Sequence, residues 1–162
     1  MKKQILTAAL LSLLTAGLTA AELTVAATPV PHGDILRLVA PDLKAQGYDL
    51  KVVEFSDFVS PNIALDAKEV TANYYQHKPF LDDAVKSRGL KIASVAPIHI
   101  LPMAAYSKRI KSLNDLPKGA RISIPNDPAN GGRALRVLAD AGFFGLKDGV
   151  GVNGTPADIV YN

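Results

Sequence analysis

A chain of 162 residues with 48% apolar and 20% charged residues has the globular balance of about one ordinary domain, long enough to bury a core. It holds no cysteine, which excludes disulfides, thiolate catalysis and cysteine-based zinc or iron–sulfur sites. Its formal charge of +3 forms no basic stripe with interleaved aromatics, which excludes electrostatic binding of nucleic acid.

The chain opens on a targeting pattern. Lys2 and Lys3 make a positive start, Ile5–Leu14 (ILTAALLSLL) is an apolar stretch of ten residues, and Thr15–Ala21 (TAGLTAA) is a run of small ones. This is a secretory signal over residues 1–21, with Thr19 and Ala21 at the −3 and −1 positions of a cut before Glu22. A membrane anchor would need about 20 apolar residues, and Thr, Ser and Gly interrupt this segment. Without Lys2 and Lys3, the 18 basic residues become 16 against 15 acidic ones. No cysteine stands at the cut to take a lipid, so the expected product is soluble and periplasmic or extracellular.

Strand-like and helix-like runs then alternate. Leu23–Ala27 (LTVAA) reads as a short buried strand that stops at Thr28-Pro29. From Pro31 to Gln46, Ile35, Leu36, Leu38, Val39 and Leu43 recur at helical spacing, with Gly47 as the stop. Leu50–Phe55 (LKVVEF) alternates like a strand. Ser60-Pro61 reads as a capping Ser with Pro at the first helical position, leading into a helix through Ala67. Thr71–Tyr75 (TANYY) is strand-like, and Pro79–Ser87 a short helix closed by Gly89.

Lys91–Tyr106 (KIASVAPIHILPMAAY) is long and mostly extended, broken at Pro97 and Pro102. It reads as a crossing between two α/β lobes. A weak turn of helix follows around Leu113–Leu116, then a strand-like Arg121–Ile124 (RISI), a turn at Pro125–Pro128, and a helix over Asn130–Ala141 stopped by Gly142. After a Gly-rich stretch, Asp158–Tyr161 (DIVY) begins as a strand and the chain stops at Asn162. That end fits either a terminal strand or a truncated chain. The alternation implies a parallel or mixed sheet covered by helices.

The segments ATPVPHGDIL (Ala27–Leu36), VVEFSDFVSPNIAL (Val52–Leu65), ANYYQHKPFL (Ala72–Leu81), SVAPIHILPMAAYSKRIKSLNDLPKGARISIPNDPANGGRAL (Ser94–Leu135) and DIVYN (Asp158–Asn162) closely resemble the methionine-binding, NlpA-type lipoproteins of bacterial ABC importers. The resemblance runs over the whole mature chain, in family order. It implies a type II periplasmic-binding-protein fold, with two α/β lobes around a ligand cleft. Lobe I would cover 22–104 and lobe II, incomplete, 105–162. It also implies a non-enzymatic monomer without cofactor that delivers methionine, L or D, to a membrane permease driven by a separate ATPase. Members of the family are about 100 residues longer, as two full lobes require, and normally carry a lipid-modified cysteine. The chain thus corresponds to the family's N-terminal portion.

Methionine offers a carboxylate, an ammonium and a polarizable thioether. Arg133 is the expected carboxylate ligand, because a guanidinium grips carboxylate through two parallel hydrogen bonds. It sits in the first turns of a helix, where backbone N–H groups also favour an anion. The bland alternative is a solvated helix arginine; the NDPANGGRAL context, similar to the family's ligand segment, weighs against it. Asn130, one turn earlier, is its polar companion, or else the helix cap. Tyr74 and Tyr75 face opposite ways on a strand. Following the family's pattern, Tyr74 and His77 are the pocket walls, and Tyr75 belongs to the core. An aromatic wall suits a thioether, at about 0.3–1.5 kcal/mol per sulfur–aromatic contact. Phe58 is a further aromatic candidate, standing where the family often has Tyr.

Three rival readings remain. His32, His77 and His99 lie too far apart, without i, i+4 pairing, to form a zinc site, and His99 reads as a partly buried structural residue. No G-x-S-x-G elbow, nucleophile–base pattern or phosphate-cradling glycine motif supports an enzyme. A remnant or scaffold with little ligand affinity is the third, because an incomplete lobe leaves sheet edges exposed.

Overall fold

The computed structural model describes residues 20–161. The expected signal segment therefore lies outside the described residues, apart from Ala20 and Ala21. By contacts the chain divides into two compact units, Met1–Tyr75 and Gln76–Asn162.

The first unit is built on three parallel strands: β1 (Ala21–Ala27), β2 (Tyr48–Glu54) and β3 (Ala72–Tyr74), in the order β2-β1-β3. Strand β1 pairs with β2 along its full length, from Ala21 opposite Tyr48 to Ala27 opposite Glu54. On its other edge Val25, Ala26 and Ala27 face Ala72, Asn73 and Tyr74. A central strand with partners on both sides must be apolar at its end, and Val25, Ala26 and Ala27 are buried.

After β1 the chain makes one irregular turn, Pro29–Gly33, closed by the Gly33 N–H on the Thr28 carbonyl at 2.9 Å. Helix α1 (Asp34–Ala45) then crosses back to β2. Gly47 ends it at φ +86°, a left-handed conformation that suits glycine. Helix α2 (Ser60–Asp66) carries β2 into β3. Its cap differs from the expected Ser60: the Asp57 carboxylate accepts from the Val59 and Ser60 N–H groups, each at 2.7 Å. A carboxylate reaches two orphan donors of the first turn, a stronger cap than one hydroxyl. The Ser60 backbone N–H, then its hydroxyl, then the Val59 N–H hold the Asp57 carboxyl below the ordinary carboxylate range. Ala26, Ala64 and Val70 form the core here, with Phe55 and Leu65 against them. Asn73 seats the start of α2 by donating to the Pro61 carbonyl and to Asn62 Oδ1, both at 3.0 Å.

The second unit packs α3 (Lys78–Arg88) against α4 (Pro128–Asp140). Gly89 closes α3 in the left-handed region. Beyond α4 a two-stranded antiparallel ribbon pairs β4 (Gly145–Leu146) with β5 (Ile159–Tyr161), so DIVY does become a strand. Leu135, Leu138 and Phe144 form its core with Ile124, Phe143, Leu146 and Ile159 packed around them.

One strand expectation fails in this unit: the strand-like Arg121–Ile124 forms no ladder among the described residues, and the extended Lys91–Tyr106 forms none either. Apolar alternation makes a strand only where a partner edge satisfies its N–H and C=O groups, and Pro97 and Pro102 remove two donors. Val95 and Ile100 are accordingly 99% and 89% exposed. His99, expected to be partly buried, is exposed in the same run.

Candidate ligand site

The sequence NDPANGG builds the start of α4. Asp127, in extended backbone, caps the helix: its Oδ1 accepts the Asn130 N–H at 2.8 Å. Pro128 follows at the first helical position, where its missing N–H costs nothing. The cap is thus Asp127, one residue before the proline, and not Asn130. Gly131 and Gly132 are buried, and a methyl on Gly131 would stand 2.9 Å from the Pro125 carbonyl oxygen. Close approach of the helix to the preceding loop explains the small residues there.

With its backbone held by Asp127, Asn130 is free to use its side chain. Its amide nitrogen donates to Asp127 Oδ2 at 3.1 Å. The amide oxygen lies 2.7 Å from His77 Nε2 and accepts from Arg133 Nη1 at 3.3 Å. His77 is itself the cap of α3: its Nδ1 accepts the Phe80 N–H at 3.2 Å. An Nδ1 that accepts leaves the proton on Nε2, which then donates to Asn130. Three of the five expected site residues, His77, Asn130 and Arg133, therefore stand together where α3 and α4 begin.

Arg133 is half-buried, and its second contact is the Leu101 carbonyl, to which Nη2 donates at 3.5 Å. Both partners are neutral oxygens. Arg37 by contrast is paired with Asp34 and Glu54, and Arg136 with Asp140. Among the described residues no carboxylate pairs with Arg133, so its positive charge is uncompensated by the fold. A guanidinium in contact only with neutral acceptors keeps its charge available to an anion.

Phe58 and Tyr74 belong to the first unit. Tyr74 ends β3 and meets the His32 ring edge-on, centroids 5.1 Å apart at 88°. His32 is buried, its Nδ1 2.7 Å from Thr28 Oγ1. Burial raises the Tyr74 phenol above its ordinary range. Tyr75 points the other way, as strand geometry requires. It donates to the Phe58 carbonyl at 2.9 Å and stacks on the Phe58 ring, centroids 6.4 Å apart at 19°. Phe58 is 54% exposed, an aromatic face supported from behind by Tyr75.

Sequence reasoning missed Asp127 and the Thr28–His32 pair. The Asp-Pro step ahead of an apolar helical run signals the first; the i, i+4 spacing of Thr28 and His32 is visible, but an irregular turn spans it. An apolar hollow beside α4, lined by Val137 and Leu138 with Met103 and Ile122, carries no charged side chain. No group of three or more His, Asp or Glu that could hold a metal ion exists among the described residues. Nor does any described helix have the length and apolarity to cross a membrane.

Known proteins resemble the chain over most of its length. The D-methionine-binding lipoprotein MetQ of Salmonella typhimurium is 48% identical over 116 residues, 72% of this chain and 43% of that protein. The methionine-binding lipoprotein MetQ of Bacillus subtilis is 44% identical over 143 residues, 87% of this chain and 52% of that one. The crystal structure of lipoprotein Tp32 from Treponema pallidum superposes with a TM-score of 0.84 at 33% identity, covering 88% of this chain and 60% of that one. The α/β fold is thus the one the resemblance implies, and the chain spans about half the length of these curated relatives. The NlpA lipoprotein family matches residues 23–162, and the chain belongs to that family.

Proposed function

We propose that the chain is the ligand-gripping portion of an exported, non-enzymatic binding protein that captures methionine for an ABC importer. The observation that carries this reading is Arg133: a half-buried guanidinium in the second turn of α4, in contact with Asn130 and the Leu101 carbonyl, with no carboxylate of its own. A free amino acid supplies the missing carboxylate. Relatives whose names record methionine or D-methionine binding support the choice of amino acid. Asn130 and His77 flank the carboxylate end. For the aromatics Tyr74 and Phe58 of the first unit, the support is the family resemblance and the affinity of an aromatic face for a thioether.

Within this proposal the binder acts as a monomer, is exported by the segment 1–21, and hands its ligand to a membrane permease served by an ATPase. The lobes 22–104 and 105–162 belong to the same reading. Calorimetric titration with L- and D-methionine, against leucine as a thioether-free control, tests it. Heat of binding for at least one methionine enantiomer, well above that for leucine, is expected. Equal or absent binding of all three sinks the assignment and leaves an affinity-less scaffold.

A further inference from the structure

We propose that Asp127 is a positioning residue of the ligand site, acting through Asn130 on both Arg133 and His77; this rests on the reading of Arg133 as the carboxylate ligand. The two carboxylate oxygens of Asp127 are both spent on one residue. Oδ1 takes the Asn130 backbone N–H at 2.8 Å, and Oδ2 takes the Asn130 side-chain Nδ2–H at 3.1 Å. Capping a helix needs only the first of these contacts. The second does something a cap does not: it fixes which end of the Asn130 amide faces which way.

The polarity of the whole chain follows. An ionised carboxylate only accepts, so the amide edge facing Asp127 must be the NH2 group. The amide oxygen then faces outward, where it meets two donors, His77 Nε2 at 2.7 Å and Arg133 Nη1 at 3.3 Å. The Nε2–H form is favoured at the far end as well, because Nδ1 shares the Phe80 N–H with the His77 carbonyl, at 3.2 and 3.1 Å. Each link in Asp127–Asn130–His77–Phe80 is therefore a donor meeting an acceptor, and reversing the amide would break three contacts at once. The carboxylate of Asp127 holds the guanidinium of Arg133 at one remove, without neutralising it. A carboxylate in direct contact with Arg133 would position it too, but would compete with the ligand.

Two substitutions separate capping from orientation. Asp127→Ser keeps an oxygen able to cap α4 but has no second acceptor for the amide. Asp127→Asn offers one acceptor and one donor, so it either loses the cap or turns the Asn130 amide, presenting NH2 to two donors. The expected result is little change in thermal unfolding for Asp127→Ser, with methionine affinity down about tenfold, the scale of one lost orienting hydrogen bond. Asp127→Asn should lose more.

The structural readout is the pair of His77 ring-nitrogen signals, recorded on the ligand-free chain by long-range proton–nitrogen NMR above the usual imidazole range. In the unsubstituted chain they should report the Nε2–H tautomer, and in Asp127→Asn a mixture. Unmoved ring signals in Asp127→Asn together with unchanged thermal unfolding, which would show neither a turned amide nor a lost cap, overturn the proposal. So does an affinity that falls in Arg133→Ala but stays constant in Asp127→Ser and Asp127→Asn. If Arg133→Ala itself binds methionine unchanged, the ligand reading is what fails, and the positioning role falls with it even where the ring signals have shifted.

Discussion

The Tyr75 hydroxyl donates to the Phe58 carbonyl at 2.9 Å while the two rings stack, so the residue just after β3 anchors the loop that leads into α2. This contact makes Phe58 an ordered aromatic face although it is 54% exposed. Burial, reinforced by the Asp57 charge, raises the Tyr75 phenol well above its ordinary range. A raised folded value means that the neutral phenol is favoured in the folded chain. Its contribution is complete below the unfolded phenol value of about 10 and declines as pH rises above it. Tyr75→Phe should therefore lose about 1 kcal/mol at neutral pH and flatten the alkaline fall in stability. Urea midpoints taken from neutral to alkaline pH check this; parallel curves for the two proteins would refute the role of the phenol.

Asp57 predicts the opposite limb. Its carboxyl is held below the ordinary carboxylate range by Ser60 and Val59 donors, so the ionised form is favoured in the folded state. The stability it adds is present above the unfolded value of about 3.9 and disappears as pH falls through the lower folded value. Asp57→Asn should lower neutral-pH stability, because the charge-assisted cap is lost, while reducing the acid loss between about pH 4 and pH 2. Part of the loss should persist, because the Asp158 carboxyl is also lowered by its Thr155 donors. An acid limb identical in the variant would show that Asp57 caps α2 without its charge.

The stops at Gly47, Gly89 and Gly142 were legible in the sequence, because a left-handed residue after an apolar periodic run is a local signal. The caps were less so: Ser60 and Asn130 are good capping types, yet Asp57 and Asp127 hold the donors, and only loop geometry decides between neighbours of similar chemistry. Arg121–Ile124 carries a strand pattern that local sequence cannot convert into a ladder, since pairing depends on a distant edge. The site divides the same way. Arg133 with Asn130 is an i, i+3 relation on a helix and could be read directly, whereas the link from Asn130 to His77 spans 53 residues and exists only once α3 and α4 have packed.

Gly132 should be among the least replaceable residues of α4. A methyl there would run into the Val152 carbonyl and stand 2.8 Å from the Gly154 amide nitrogen, and both neighbours are backbone that cannot rotate away. Gly132→Ala gains helix propensity of about 1 kcal/mol, but overpacking against fixed backbone costs about 1–3 kcal/mol or more. Net destabilisation is expected, read as a lower thermal midpoint. A variant as stable as the parent would mean that the Gly154 loop moves aside at no cost.

Tyr74→Ala tests the aromatic wall. The ring packs edge-on against His32, so its loss opens space beside a buried histidine as well as removing the proposed face for the thioether. Methionine should bind more weakly by about 0.3–1.5 kcal/mol, and the preference for methionine over leucine should narrow. Tyr74→Phe keeps the ring and should keep the preference. A selectivity ratio unchanged in Tyr74→Ala would remove Tyr74 from the ligand site even if overall affinity fell.

Arg133→Ala is the sharpest test of the proposed function, because the fold gives Arg133 so little to do. Its contacts to Asn130 and the Leu101 carbonyl are long, 3.3 and 3.5 Å, and neither partner is charged, so truncation should change thermal stability only slightly. Methionine binding should fall by about 2–4 kcal/mol, since a charge-assisted bidentate contact vanishes and the ligand carboxylate is left unpaired. Arg133→Lys retains the charge but not the planar fork, and should lie between parent and alanine variant. A large loss of stability with unchanged affinity would invert the argument and make Arg133 a structural residue. Calorimetry and thermal unfolding on the same three proteins distinguish the two outcomes, because the first follows the carboxylate and the second follows the helix.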